Sequence, residues 1–144
     1  MRLVNEDLAR IFKHPYVSYL FRFIVGAIFI FAGVQKIFSP ADFSLSIQNY
    51  LILPVSMTNL VAIFLPCLEI YCGIFLLAGI FTRASAILVS FLNVIFIIAL
   101  FSALVRGLDI SCGCFGSGTP VDWSRIIEDF ILLAMSLHLV FRLS

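Results

Sequence analysis

Charge is the scarcest commodity in this chain. Of 144 residues, nine are Lys or Arg and eight are Asp or Glu, so 12% are charged. A soluble domain carries about 25%. The net charge is only +1, which leaves no basic footprint for nucleic acid. Histidine occurs twice, too seldom to build a metal site without cysteine. The polar Met1–His14 segment has no short apolar core followed by a small-residue cleavage site, so it does not read as a cleaved signal peptide. The first apolar segment is therefore expected to stay as an anchor. There is no internal repeat, no low-complexity stretch and no second domain.

What fills the space is apolar. Hydrophobic residues make up 62% of the chain, 16 of them Phe, against about 45–50% apolar in a soluble domain. The expectation is an all-α integral membrane protein, a four-helix bundle in a lipid bilayer. Residues 1–15 form a cytoplasmic, amphipathic N-terminal segment, and 16–142 form the transmembrane domain.

The first span runs from Tyr16 to Phe38, with Gly26 and Gly33 as small packing positions. Arg22 and Lys36 near its ends are placed to snorkel. Residues 39–57 read as a loop containing a partly amphipathic segment on the membrane surface, ended by Pro54. The second span, Met57–Phe81, carries Pro66, expected to kink it, and Glu69. Thr82-Arg83 reads as a tight turn. Ala84–Val105 is an uncharged run of 22 residues, enough to cross a bilayer as a helix. After a glycine-rich loop, Asp122 is placed to N-cap a last span, Trp123–Arg142. Trp123, Tyr16 and Tyr50 suit the membrane interface.

The side holding the N-terminus, the Thr82-Arg83 turn and the C-terminus has six basic residues: Arg2, Arg10, Lys13, Arg22, Arg83 and Arg142. The other side has three: Lys36, Arg106 and Arg125. By the positive-inside rule both termini are cytoplasmic and the loop after the third span is periplasmic, across a bacterial inner membrane.

That loop contains Ile110-Ser111-Cys112-Gly113-Cys114-Phe115-Gly116. Bridged cysteines need Cα atoms about 4.4–6.8 Å apart, and a bent or nearly extended tripeptide reaches that. Closing so small a ring strains most backbones, and Gly113 relieves part of the strain. A strained, exposed disulfide is an oxidant or a switch more often than a structural tie. Two unpaired thiols in a turn, or half of a metal site, fit the spacing as well. An oxidising compartment favours the disulfide. Cys67 and Cys72, about 140° apart around a helix, cannot bridge each other without unwinding and read as packing residues. With His14 and His138 at the opposite face from the thiols, no metal site is expected.

Glu69 is costly in mid-span and should face the interior, with Lys36 or Arg22 as its partner. The chemical role open to it is proton acceptor; the structural one is a buried ion pair that fixes helix pairing. Arg125 and Asp129, four apart, share a helix face just beneath the cysteine loop. They form an interfacial salt bridge, or Arg125 lowers a thiol pKa.

Phe31-Ala-Gly-Val-Gln-Lys36, Leu65-Pro-Cys-Leu-Glu69 followed by Gly73, and Ser111-Cys-Gly-Cys-Phe-Gly116 followed by Trp123 resemble motifs of the MauE/DoxX family of redox-associated membrane proteins. The likeness covers about residues 18–140. It implies a four-helix bundle broadly like the membrane core of vitamin K epoxide reductase and DsbB-type proteins. It also implies paired-cysteine chemistry at Cys112 and Cys114, a thioredoxin-like periplasmic partner and a link to maturation of a periplasmic enzyme in methylamine utilisation. Relatives of the DoxX type imply electron transfer to quinone. Gly113, Phe115, Gly116, Lys36 and Trp123 are the other motif positions. Residues 39–57 contain no cysteine, so an internal relay between two outer pairs is not available and an external dithiol is needed. Two other classes remain open: a non-catalytic assembly or anchor subunit of a membrane redox complex, and a small permease with Glu69 and Lys36 as its site.

Overall fold

The computed structural model describes residues 14–108 and 122–142. Most of the expected N-terminal segment, residues 1–13, and the whole Cys112–Gly116 motif lie outside them. Among the described residues there are helices and no strands: α1 Pro15–Phe38, α2 Pro40–Asn49, α3 Val55–Ala78, α4 Thr82–Val105 and α5 Trp123–Arg142. Three of them, α1, α3 and α4, are long and apolar enough to cross a membrane. The last helix is as long as expected but carries Arg125, Glu128, Asp129 and Arg142.

The tightest pairing is α1 on α3, followed by α4 on α5. Looser contacts of α1 with α5 and of α3 with α4 join the two pairs. Small residues explain the first pairing. A Cβ added at Gly73 would stand 2.7 Å from the Gly26 carbonyl oxygen, and one at Gly33 would stand 2.8 Å from that of Pro66. The two backbones therefore touch, which only glycine permits. The α3 helix continues through Pro66. On the other pair, the hydroxyls of Ser90 and Ser136 lie 2.8 Å apart, a buried hydrogen bond between α4 and α5. Val25, Phe29, Leu76, Val89 and Leu139 fill the centre, while Phe23, Phe64, Phe91 and Phe141 point outward.

Three expectations need correction. Residues 39–57 are not one loop: Pro40–Asn49 form α2, residues 50–54 connect it to α3, and α3 begins at Val55. Pro40 sits in the first turn of α2, where its missing N–H costs nothing. This helix buries Phe43, Ser44 and Ser46 and leaves Leu45 exposed. Polar groups go inward because they have partners there: Ser44 Oγ donates to Asn59 Oδ1 at 2.7 Å, and Gln48 Nε2 donates to Thr58 Oγ1 at 3.3 Å. The helix ends at Asn49, and Pro54 instead precedes α3 as its N-cap residue.

The turn between α3 and α4 lies earlier than Thr82-Arg83, which begin α4. Gly79 closes α3 in the left-handed conformation at φ 77°, a common helix stop.

Lys36 does not snorkel; it is 3% exposed. Arg22 does not snorkel into water either. Its Nε donates to the Leu76 carbonyl at 2.9 Å, answering one of the last carbonyls of α3 that no helical N–H reaches.

Candidate functional site

Side chains on a helix lean towards its N-terminus. In the antiparallel pair α1 and α3, Lys36 therefore leans inward from the end of α1, and Glu69 leans outward to meet it. Lys36 Nζ donates to both Glu69 carboxylate oxygens, at 2.6 and 2.8 Å, with each side chain 2% exposed. This decides the partner of Glu69. Of the two candidates, Lys36 is taken up by the carboxylate and Arg22 by the end of α3. Two rings flank the ammonium: Phe43 of α2, 5.1 Å from Nζ to its centroid, and Phe96 of α4, at 4.9 Å. Both distances suit a cation over an aromatic face. Phe43 is the reason α2 matters here, since it covers the pair.

A small cavity of about 30 Å³ opens beside the pair. It is lined by Lys36 of α1, Glu69 of α3, Asn93 and Phe96 of α4, and Asp129 of α5. All four long helices thus contribute a polar group to one place. Asn93 is 1% exposed, and its Nδ2 has no hydrogen-bond partner among the described residues. Sequence reasoning passed over Asn93 because it brings no charge. The available signal was its position as the one amide in an uncharged span.

Arg125 and Asp129 were expected to share a face. The structure pairs Arg125 with Glu128 at 2.8 Å, on the exposed side, while Asp129 lines the cavity. Asp122 stands at the head of α5, where its carbonyl accepts from the Arg125 N–H at 3.0 Å and its Oδ1 from the Trp123 N–H at 2.7 Å. Trp123 is exposed. Tyr50 is half-buried against Leu100, Leu104 and Ile126, and its carbonyl accepts from Arg106 Nη1 at 3.0 Å. The helix ends that flank the cysteine loop are thereby tied to the α2–α3 connection.

A second cavity, of about 130 Å³, lies among α2, α3 and α4. It shares Phe43 and Phe96 with the first site, and Tyr50 is its one lining residue with a polar side chain. Cys72 is buried in the core beside Phe29 and Leu76, and Cys67 is exposed; both are free thiols. No cluster of three metal-ligating side chains occurs among the described residues.

No solved structure matches this chain. The methylamine utilization protein MauE of Paracoccus denitrificans is 28% identical over 126 residues, covering 85% of this chain and 68% of that protein. The protein of the same name from Paracoccus versutus is 25% identical over 133 residues, covering 90% and 72%. The family model described as methylamine utilisation protein MauE matches residues 14–142, and this membrane protein belongs to that family.

Proposed function

We propose that this protein exchanges thiols and disulfides at the periplasmic face of a bacterial inner membrane, in the service of methylamine utilisation. The carrying observation is the pair Cys112 and Cys114, separated by one glycine in the polar stretch between α4 and α5. The names of its MauE relatives supply the metabolic setting.

In this reading the protein is a four-span bundle with both termini cytoplasmic. The fourth span is α5, whose charged first turns are accommodated by the Arg125–Glu128 pair outside and by the polar cavity inside. One cysteine thiolate attacks the disulfide of a thioredoxin-like partner. A mixed disulfide forms, and the partner's second sulfur leaves as a thiolate. The other cysteine then attacks the mixed disulfide and releases the partner as a dithiol, leaving Cys112–Cys114 oxidised. The reverse sequence oxidises the partner and reduces the pair, and maturation of a periplasmic enzyme would draw on it. A membrane carrier such as a quinone would complete the electron path, and the apolar cavity with Tyr50 on its wall has the lining such a ring requires.

The test is trapping. Replacing one cysteine with Ser should leave the mixed disulfide unresolved, so that an adduct accumulates on a non-reducing gel and disappears on reduction. Replacing both should remove the adduct and the activity while the helices stay folded. A fully active double variant would overturn the redox reading.

One observation favours a second reading. The buried Lys36–Glu69 pair beside a cavity is also what a small permease would carry. In that case Glu69→Gln abolishes activity and the cysteine variants are silent. A non-catalytic assembly subunit would show neither effect and would co-purify with a complex.

A further inference from the structure

We infer that Lys36, Glu69, Asn93 and Asp129 form a binding site for a single proton, held on Asp129 at the seam between the two helix pairs. The first argument is charge. One cation and two carboxylates line the cavity, so with both acids ionised the site carries a net charge of minus one. Lys36 and Glu69 are buried and Asp129 is half-buried; a net charge so far withdrawn from water is costly, and taking up one proton removes it.

The groups around the cavity leave that balance unchanged. From α3, Cys72 lies beside Glu69 and brings no positive charge. From α2 comes the Phe43 ring, and from α4 the Asn93 amide and the Phe96 ring. On α5, the Arg125 guanidinium acts on Asp129, but Glu128, to which it is bridged, acts on Asp129 in the opposite sense.

Geometry selects the acid. Both oxygens of Glu69 are engaged by Lys36, whose charge favours the ionised form of that carboxylate. Asp129 is the acid left to carry the proton. Its O–H then becomes a donor towards the Glu69 side of the cavity, and its carbonyl oxygen becomes an acceptor. Asn93 supplies the matching donor: its buried Nδ2 is unpartnered among the described residues and lines the same space. A cavity of about 30 Å³ has room for roughly two waters to bridge these groups. Asp129 lies six residues into α5, about 9 Å from its start. Asp129 thus lies nearer the cysteine-loop end of α5 than its other end.

This inference does not draw on the thiol chemistry, and its test is read in the presence and absence of the cysteines. Infrared spectroscopy of the full-length protein in membranes, titrated from neutral to mildly acidic pH, should show a protonated-carboxyl C=O band growing in. Labelling aspartate with carbon-13 should shift that band with no substitution made, so the result does not depend on a variant that folds. Asp129→Asn should remove it, Asn93→Leu should move it, and the Cys112→Ser/Cys114→Ser variant should keep it unchanged. Absence of the band, or a band that shifts with labelled glutamate instead of aspartate, overturns the assignment.

Discussion

Lys36 Nζ bonds both carboxylate oxygens of Glu69, and neither side chain reaches solvent. Removing one member of such a pair strands a charge in an apolar interior, at a typical cost of ~3–5 kcal/mol. Glu69→Gln and Lys36→Met should each lower the melting temperature in detergent. The double variant should recover much of the loss. Combining Glu69→Gln with Arg22→Met should only add the two losses, since Arg22 bonds the end of α3.

Arg22 makes a prediction of its own. Its Nε bond to the Leu76 carbonyl is partly buried, and hydrogen bonds to charged groups contribute about 1.5–3 kcal/mol. Arg22→Met should destabilise the protein by up to that amount, measured as the shift in thermal unfolding. An unchanged transition would mean that water replaces the guanidinium freely.

The α1–α3 contact is intolerant of volume. Gly73→Ala puts a methyl group 2.6 Å from Ile30 Cγ1 and 2.7 Å from the Gly26 carbonyl oxygen. The helices must separate, at a cost of about 1–3 kcal/mol. Separation also moves Glu69 relative to Lys36, so Gly73→Ala combined with Glu69→Gln should cost less than the sum of the singles. Strict additivity would show that the glycine contact and the ion pair are independent.

Much of this arrangement is legible in the residues, for physical reasons that also mark where legibility stops. Long apolar runs reveal α1, α3 and α4, because a bilayer demands length and hydrophobicity together. Gly26 and Gly33 are readable as packing positions because small side chains in a span have few other uses. Depth can be counted along a helix, so Glu69 can be placed between Lys36 and Arg22. The direction in which a side chain faces depends on how neighbours rotate, and there the choice between two cations stays open. The helix α2 is hidden because it is short and turns Ser44 and Ser46 inward, which reverses the usual pattern. For Arg125 the positions three and four ahead are both acidic, and spacing alone does not choose between Glu128 and Asp129. The redox motif itself lies outside the described residues, so its chemistry rests on sequence and resemblance.

Labelling gives a check on topology. If the loop between α4 and α5 is periplasmic, a membrane-impermeant maleimide added to intact, reduced cells should modify Cys112 or Cys114. Cys72, 2% exposed in the core, should resist until the protein is unfolded. Labelling of the loop cysteines only after lysis would invert the orientation.

The tightest helix pair, α1 with α3, contains both Lys36 and Glu69, and this bears on how the chain enters the membrane. Synthesis runs from the N-terminus, and early segments settle first. The first two long helices leave the ribosome already carrying a cation and its carboxylate, so they cancel each other's charge before α4 and α5 reach the membrane. The later pair then docks against a neutral surface and brings Asn93 and Asp129 last. A nascent chain arrested only once Ala78 has emerged from the ribosome should therefore insert stably as a hairpin, and Lys36→Met should impair insertion at that stage.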